Sequence, residues 1–317
     1  MSLANYVLRR VVVTIPVLLG VTAITFSLLH VAPGDPIDVV TGFQNVDDDV
    51  EASLRAEYGL DRPVWEQYLV WVADVLTLEF GESPVTGRDV GATIAERLPY
   101  TLLLGGSAWL LSLLIGIPAG VVAAVKRGEP ADEVSRIAAL AGIATPNFWL
   151  GLVLLLVFGV HLGWFRVIPP DAPLLSLEML WFMLLPTITL GTASAALVMR
   201  LLRSSMLREL NEGYVRTARA KGLRERTVIW KHVLRNSLIA VVTVAGLQIT
   251  LLVDGAVVVE QVFSWPGMGR LLVDAIGRRD FPVVQASVLL IGVTVVVANL
   301  LVDITYSYLD PRIRYDR

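Results

Sequence analysis

The stretch RRVVVTIPVLLGVTAITFSLL, Arg9–Leu29, decides the fold. Two cations open it and the uncharged apolar run Val11–Leu29 follows. At 1.5 Å per residue a helix over that run is about 28 Å long, close to the ~30 Å hydrocarbon core of a bilayer. A cleaved signal peptide also opens on cations, but its apolar core is only about 7–15 residues and leads into a small-residue cleavage site. No A-x-A site follows Leu29, so the run reads as a membrane anchor.

Working outward, comparable runs recur at Thr101–Val125, Ile137–Val160, Leu180–Leu202, Leu238–Val262 and Val283–Tyr306. The chain of 317 residues is 55% apolar and only 17% charged, with a mean hydropathy of +0.66. These features predict an all-α membrane protein of about six transmembrane helices. The expected organisation is an N-terminal transmembrane helix over 1–31, an extracytoplasmic loop region over 32–98, and a five-helix core over 99–317 that carries a polar loop at 203–237. With no cysteine, disulfides, thiolate metal sites and thiol nucleophiles are excluded. His30, His161 and His232 lie far apart in sequence and suggest no metal cluster. A net charge of −3 says little by itself about partners, and no nucleic-acid partner is expected.

Pro33, Gly34, Asp35 and Pro36 stop the first helix, and an acidic stretch follows. Within it Trp65, Tyr68, Leu69, Trp71, Val72, Val75 and Leu76 recur at helical spacing beside Glu66 and Asp74. That pattern fits a helix lying in the membrane interface, or one packed on a small core of the loop itself. The second span holds Gly105, Gly106, Gly116, Pro118 and Gly120, and the fourth holds Gly191, Ala193, Ala195 and Ala196. Small residues let helix backbones approach where lipid supplies no hydrophobic drive, so these faces predict a packed bundle. If six helices alternate, Arg9, Arg10, Lys126, Arg127, the basic set between spans four and five, and Arg312, Arg314 and Arg317 share one side. The positive-inside rule then makes both termini cytoplasmic and turns the acidic loop outward, with Arg270, Arg278 and Arg279 as a local exception.

The segment RSSMLRELNEGYVRTARAKGLRERTVIWKHVLRNS, Arg203–Ser237, is too long and polar for a simple turn. Tyr214, Ala218 and Lys221 or Gly222 share a helix face, and small side chains there, with Ala220, would let a short helix sit tightly in another protein's cleft. Gly222 is a natural stop for that helix. Arg216, Arg219, Arg224 and Arg226 offer planar donors to carboxylates of a partner, and Thr227 begins a second amphipathic run through Ile229, Val233 and Leu234. Basic juxtamembrane segments also serve as topology signals or anionic-lipid contacts, and composition leaves that reading open.

The segment resembles the EAA loop of ABC importer permeases, aligned on Ala218 and Gly222. Arg216, Thr217, His232 and Arg235 stand where the general pattern has Glu, Ala, Ile and Pro, while Leu234 is kept. The wording YVRTARAKG from Tyr214 and HVLRN ending at Asn236 is similar to the variant in B-type permeases of dipeptide, oligopeptide and nickel importers. The resemblance extends to HVAPGDP from His30, ERLPYTL from Glu96, TPNFWLG from Thr145, GAVVVEQVFSWPGMGRL from Gly255 and LLVDITYSYLDPRIRY near the C-terminus. It implies a type I ABC importer permease fold in the cell membrane. Its coupling loop would include Tyr214, Arg216, Thr217, Ala218, Arg219, Ala220, Lys221, Gly222, Leu223, Leu234 and Asn236. It further implies a second permease subunit, two ATPase subunits that bind ATP and Mg²⁺, and an extracytoplasmic binding protein delivering peptides, nickel or another small solute. No G-x-x-x-x-G-K-[ST] loop occurs, so no cofactor is expected in this chain and ATP hydrolysis is expected of its partners.

Asp254, Glu260, Asn299 and Asp303 fall in or near the last two spans, where a mid-bilayer charge costs about 2.5–3.5 kcal/mol and must face protein or water. Asp254 and Glu260 are candidates for the translocation path; Asp254 also suits an interhelical hydrogen bond, and interface exposure or pairing with Arg270 or a juxtamembrane arginine would explain Glu260. An intramembrane enzyme using Asp254 and Asp303 as an acid/base pair is the rival from another class, without a supporting motif around either residue. Trp265, in the turn Ser264–Gly269, reads as an interfacial anchor or gate element.

Overall fold

The computed structural model describes residues 3–31, 37, 41, 47–57 and 59–309, with the side chains of 3–7, 28–31, 57, 250–254, 303 and 305–309 outside the described set. The helix stop at Pro33–Pro36, the C-terminal arginines, and the side chains of His30, Asp254 and Asp303 therefore lie outside it. The described chain is helical: α1 Leu3–Val31, α2 Asp48–Glu57, α3 Val64–Thr77, α4 Val90–Val125, α5 Pro130–Ala144, α6 Asn147–Leu154, α7 Leu177–Glu209, α8 Gly213–Ala220, α9 Leu234–Val262, α10 Met268–Arg278 and α11 Phe281–Leu309. Among the described residues five helices are long and apolar enough to cross a membrane, or six if a bent pair counts as one span.

That bent pair corrects the expectation of a single span over Ile137–Val160. Helix α5 ends at Ala144, α6 starts at Asn147, and the two axes diverge by 104°. The cause is local. Thr145 precedes Pro146, whose ring pushes it out of the helical region to φ −83°, ψ 121°. Beyond α6 the helix widens into π turns over Leu155–His161. Helix α4 also begins at Val90, well ahead of Thr101.

The chain forms two compact units. One comprises residues 1–8, 102–265 and 298–317, the other 9–101 and 266–297. In the first, α4 and α7 meet through the small residues seen in the sequence: a Cβ on Gly116 would lie 2.7 Å from the Ala195 carbonyl oxygen, and one on Gly120 would lie 2.9 Å from Leu202 Cβ. Gly191 repeats the approach from the opposite helix, 3.0 Å from the Ala108 carbonyl oxygen. Dispersion between closely apposed backbones replaces the hydrophobic drive that lipid does not supply. Trp109 Nε1 donates to the Ala245 carbonyl at 2.8 Å, tying α4 to α9. Asp132, near the start of α5 and 2% exposed, takes a two-point ion pair from Arg203 of α7 at 2.7 and 2.8 Å and accepts from the Gly128 N–H at 3.0 Å.

In the second unit, α3 lies against α1. Tyr68 reaches Thr22 at 2.9 Å, and the Phe26 ring meets Tyr68 and Trp71 at 5.4 and 5.8 Å. No α3 residue is fully buried, and Trp65, Leu69 and Leu76 remain 65%, 58% and 80% exposed, which fits an interfacial helix. A separate cluster gathers Val90, Ile94, Met268, Ala275, Val283 and Ala286. Beside it Ser83 Oγ donates to Asp280 at 2.5 Å, both side chains being buried.

Candidate functional site

The segment after α7 is built in four steps. Leu210–Glu212 turn the chain and α8 runs for eight residues. Gly222 closes α8 at φ +76°: its N–H donates to the Arg219 carbonyl at 2.9 Å and the Leu223 N–H to the Ala218 carbonyl at 3.3 Å. This paired closure is the Schellman arrangement, and a residue in the left-handed region is what it requires. A short turn at Glu225–Thr227 then leads through π turns over Val228–Val233 into α9.

Helix α8 has an apolar inner side. Val215 and Ala218, 0% and 8% exposed, join Val121 and Ala124 of α4, Leu202 and Met206 of α7, and Val228, Ile229, Val233 and Leu234 that lead into α9. The expected outward face of Tyr214, Ala218 and Lys221 is thereby corrected. Val215 is the one strongly apolar side chain of α8, its burial fixes the helix rotation, and Ala218 one turn on must turn inward with it. The outer surface instead presents Tyr214, Arg216, Thr217, Arg219, Ala220, Lys221 and Leu223.

Hydrogen bonds hold this surface in place. Tyr214 donates its phenol proton to Glu209, and the Asn236 amide donates to the Tyr214 oxygen at 3.0 Å. Partial burial, then the Glu209 carboxylate, raises the Tyr214 phenol above its ordinary range near 10. Arg216 Nη2 donates to the Asn211 carbonyl at 3.1 Å, and Thr217 Oγ1 to the Gly213 carbonyl at 3.0 Å. Arg219, expected to seek a carboxylate elsewhere, grips Glu225 with Nε at 3.1 Å and Nη2 at 2.6 Å. An exposed pair of this kind contributes only about 0–1 kcal/mol and exchanges partners at little cost.

The structure thus brings Tyr214 and Asn236 together across 22 residues, places Ala218 and Leu234 in one core, and leaves Arg216, Ala220, Lys221 and Leu223 at the surface. Sequence reasoning missed Val215, whose signal was a single apolar residue in a polar run. Asp254 lies in α9 with its side chain outside the described set. Glu260 is fully buried, so interface exposure does not account for it. Trp265 is also fully buried, stacked on Phe182 at 6.0 Å and 11°, which overturns the interfacial-anchor reading.

Helices long and apolar enough to span a membrane, with a short polar helix packed on them, make this an integral membrane protein with a docking-type surface outside its spans. Residues 116–315 match the family described as binding-protein-dependent transport system inner membrane component, and residues 3–105 match the N-terminal region of such components. The chain belongs to this family, as a multi-pass membrane permease of the ABC importer class. It is 41% identical to the di/tripeptide transport system permease protein DppB of Pseudomonas aeruginosa (strain UCBPP-PA14), with 99% of each chain covered. It is 42% identical to the oligopeptide transport system permease protein AppB of Bacillus subtilis (strain 168), covering 99% of this chain and 100% of that one. Identity is 43% to the glutathione transport system permease protein GsiC of Salmonella choleraesuis (strain SC-B67), covering 98% and 99%. A solved amino acid ABC transporter with histidines shares the fold at TM-score 0.53 and 15% identity, over 68% of this chain and 94% of that one. The fold is that of a type I ABC importer permease.

Proposed function

We propose that the chain forms half of the translocation path of an ATP-driven peptide importer. A second, related permease supplies the other half. Two ATPase subunits bind ATP and Mg²⁺, hydrolysis being theirs and not this chain's, and an extracytoplasmic binding protein delivers the cargo. Both termini and the 203–237 segment face the cytoplasm.

The observation that carries the reading is α8, anchored by Val215 and Ala218 while its polar side stays open. A helix seated this firmly transmits displacement instead of folding away, which is what coupling to a nucleotide-driven partner requires. The relatives named for di/tripeptides, oligopeptides and glutathione support a peptide cargo.

The test is co-purification of the tagged chain with its partners in mild detergent, comparing wild type with Ala220→Trp. Ala220 faces outward, so the bulk falls on the docking surface and not on the core. Retained fold with at least tenfold weaker ATPase association is expected. Undiminished association would sink the assignment of this surface.

A further inference from the structure

We propose that α6 and the π turns that continue it, Asn147–His161, form a re-entrant helix lying across the outer half of the bilayer, with the row Phe148, Leu152, Leu156 and Val160 in contact with lipid acyl chains. The inference goes beyond the importer reading and does not depend on the cargo.

Helix α5 runs along α7 in the opposite direction. Asp132 near its start pairs with Arg203, and a Cβ on Gly142 near its end would stand 3.2 Å from Thr192 Cγ2. Since α7 is a spanning helix, α5 rises through the membrane beside it. The chain then turns by 104° at Thr145–Pro146. A helix from Phe148 to Val160 advances about 18 Å, and at that angle only about 4 Å of the advance is a change in depth. Gly151 fixes the level: its Cβ would lie 3.4 Å from Thr189 Cγ2, which is about 18 Å along α7 from Leu177. Asn147, the first residue of α6, lines a cleft of about 300 Å³ with Leu190 and Gln248. Backbone groups freed at the break therefore have protein or water beside them instead of acyl chains.

Residue size tells what covers the free side. The small residues turn toward protein: a Cβ on Gly151 would meet Phe263 at 3.0 Å and Val262 at 3.2 Å, and one on Gly159 would meet Val167 at 3.3 Å. The open side carries Phe148, Leu152, Leu156 and Val160, each 50–57% exposed. Helices that pack on one another inside a membrane put small residues at the contact, so a row of four bulky ones suits acyl chains. No Asp, Glu, Lys or Arg occurs from Asn147 to Phe165. The return to α7 stays at the membrane surface. Phe165 stacks on Trp181, one turn into α7, at 4.9 Å and 6°, and Trp181 Nε1 donates to the Trp164 carbonyl at 3.1 Å. Arg166 pairs with Glu178 in the first turn of α7 at 3.3 Å. Aromatic rings with a charged pair just beyond them are what the headgroup level holds.

The test is depth measurement by fluorescence quenching in the complete transporter, reconstituted in phosphatidylcholine liposomes. This chain has no cysteine, so with partner cysteines replaced a bimane label reports from one chosen position. The positions are Phe148→Cys, Leu152→Cys, Leu156→Cys and Val160→Cys, and the quenchers are phosphatidylcholines with nitroxides at graded acyl depths. Leu177→Cys and Ile188→Cys, both exposed on α7, serve as a ruler about 16 Å long. All four labels are expected to be quenched at least about twofold, with depths spread over less than half of the roughly 18 Å that a helix running straight through would give.

A spread of half that length or more overturns the re-entrant helix and makes α6 the outer part of a span. Quenching below that level at any of the four positions overturns the lipid contact and gives the row to protein, such as the second permease. Peptide uptake by the same liposomes is read alongside: uptake with a failed depth test strikes the re-entrant helix alone, and absence of uptake by the wild type strikes the importer reading alone.

Discussion

Replacing Gly116 by alanine tests how the bundle is held together. The added carbon would stand 2.7 Å from the Ala195 carbonyl oxygen and 2.8 Å from Val198 Cβ and Cγ1. Comfortable contact begins near 3.5 Å, so α4 and α7 must separate or slide by roughly 0.7 Å. Forcing an extra methyl into a close-packed contact costs about 1–3 kcal/mol. Alanine is the better helix former by up to about 1 kcal/mol, which offsets part of that cost. The same substitution at Gly105 meets nothing within 4 Å and so retains only the favourable part. The two variants should therefore fall on opposite sides of wild type, separated by about 1–3 kcal/mol. Unfolding of the purified chain in mixed micelles of dodecyl sulfate and a mild detergent, followed by tryptophan fluorescence, measures the gap. Equal stabilities for Gly116→Ala and Gly105→Ala would refute the backbone-contact account of α4 against α7.

Asp132→Asn should destabilise the same unit by about 2–3 kcal/mol, below the about 3–5 kcal/mol of a fully buried broken pair, because Arg203 keeps 21% of its side-chain surface in contact with solvent. Pairing it with Arg203→Met should recover part of the loss in the same unfolding assay, and strict additivity would argue against a coupled pair. Tyr214→Phe removes the phenol bridge from Glu209 to Asn236 and should cost about 0.5–1.5 kcal/mol. The Tyr214 phenol is raised on folding, so its contribution is complete below the unfolded value near 10 and fades as pH climbs through the higher folded value. The difference between wild type and Tyr214→Phe should accordingly be flat from pH 6 to 9, and a step within that window would contradict the assignment.

Hydropathy made the spans legible because lipid demands a continuous apolar length, and small residues marked Gly116, Gly120 and Gly191 as approach points. The 104° bend was hidden, since the run Ile137–Val160 is apolar on both sides of Thr145–Pro146 and hydropathy carries no direction. Asp132 and Arg203 stand 71 residues apart, and each alone looks like ordinary loop charge. In the docked segment, the glycine stop at Gly222 could be read from chemistry, but the rotation of α8 could not. It depends on Val215 finding a pocket assembled from three distant helices, a property of the bundle and not of the local sequence. Trp265, and the exposure offered for Glu260, were misjudged for a related reason: residues near a span's end are usually wet, and here both are enclosed.

The core under α8 has a mechanical corollary. Val215 and Ala218 share one close-packed cluster with residues of α4, α7 and the entry to α9, and such interiors barely compress. Force applied to the eight-residue helix cannot be absorbed beneath it and passes at once to three long helices. Whatever stroke a partner delivers must be counted as motion of that whole block, with the yielding confined to segments outside it. A variant that softens the cluster, without touching the exposed side of α8, would act like slack in a linkage, leaving the grip intact and shortening the travel.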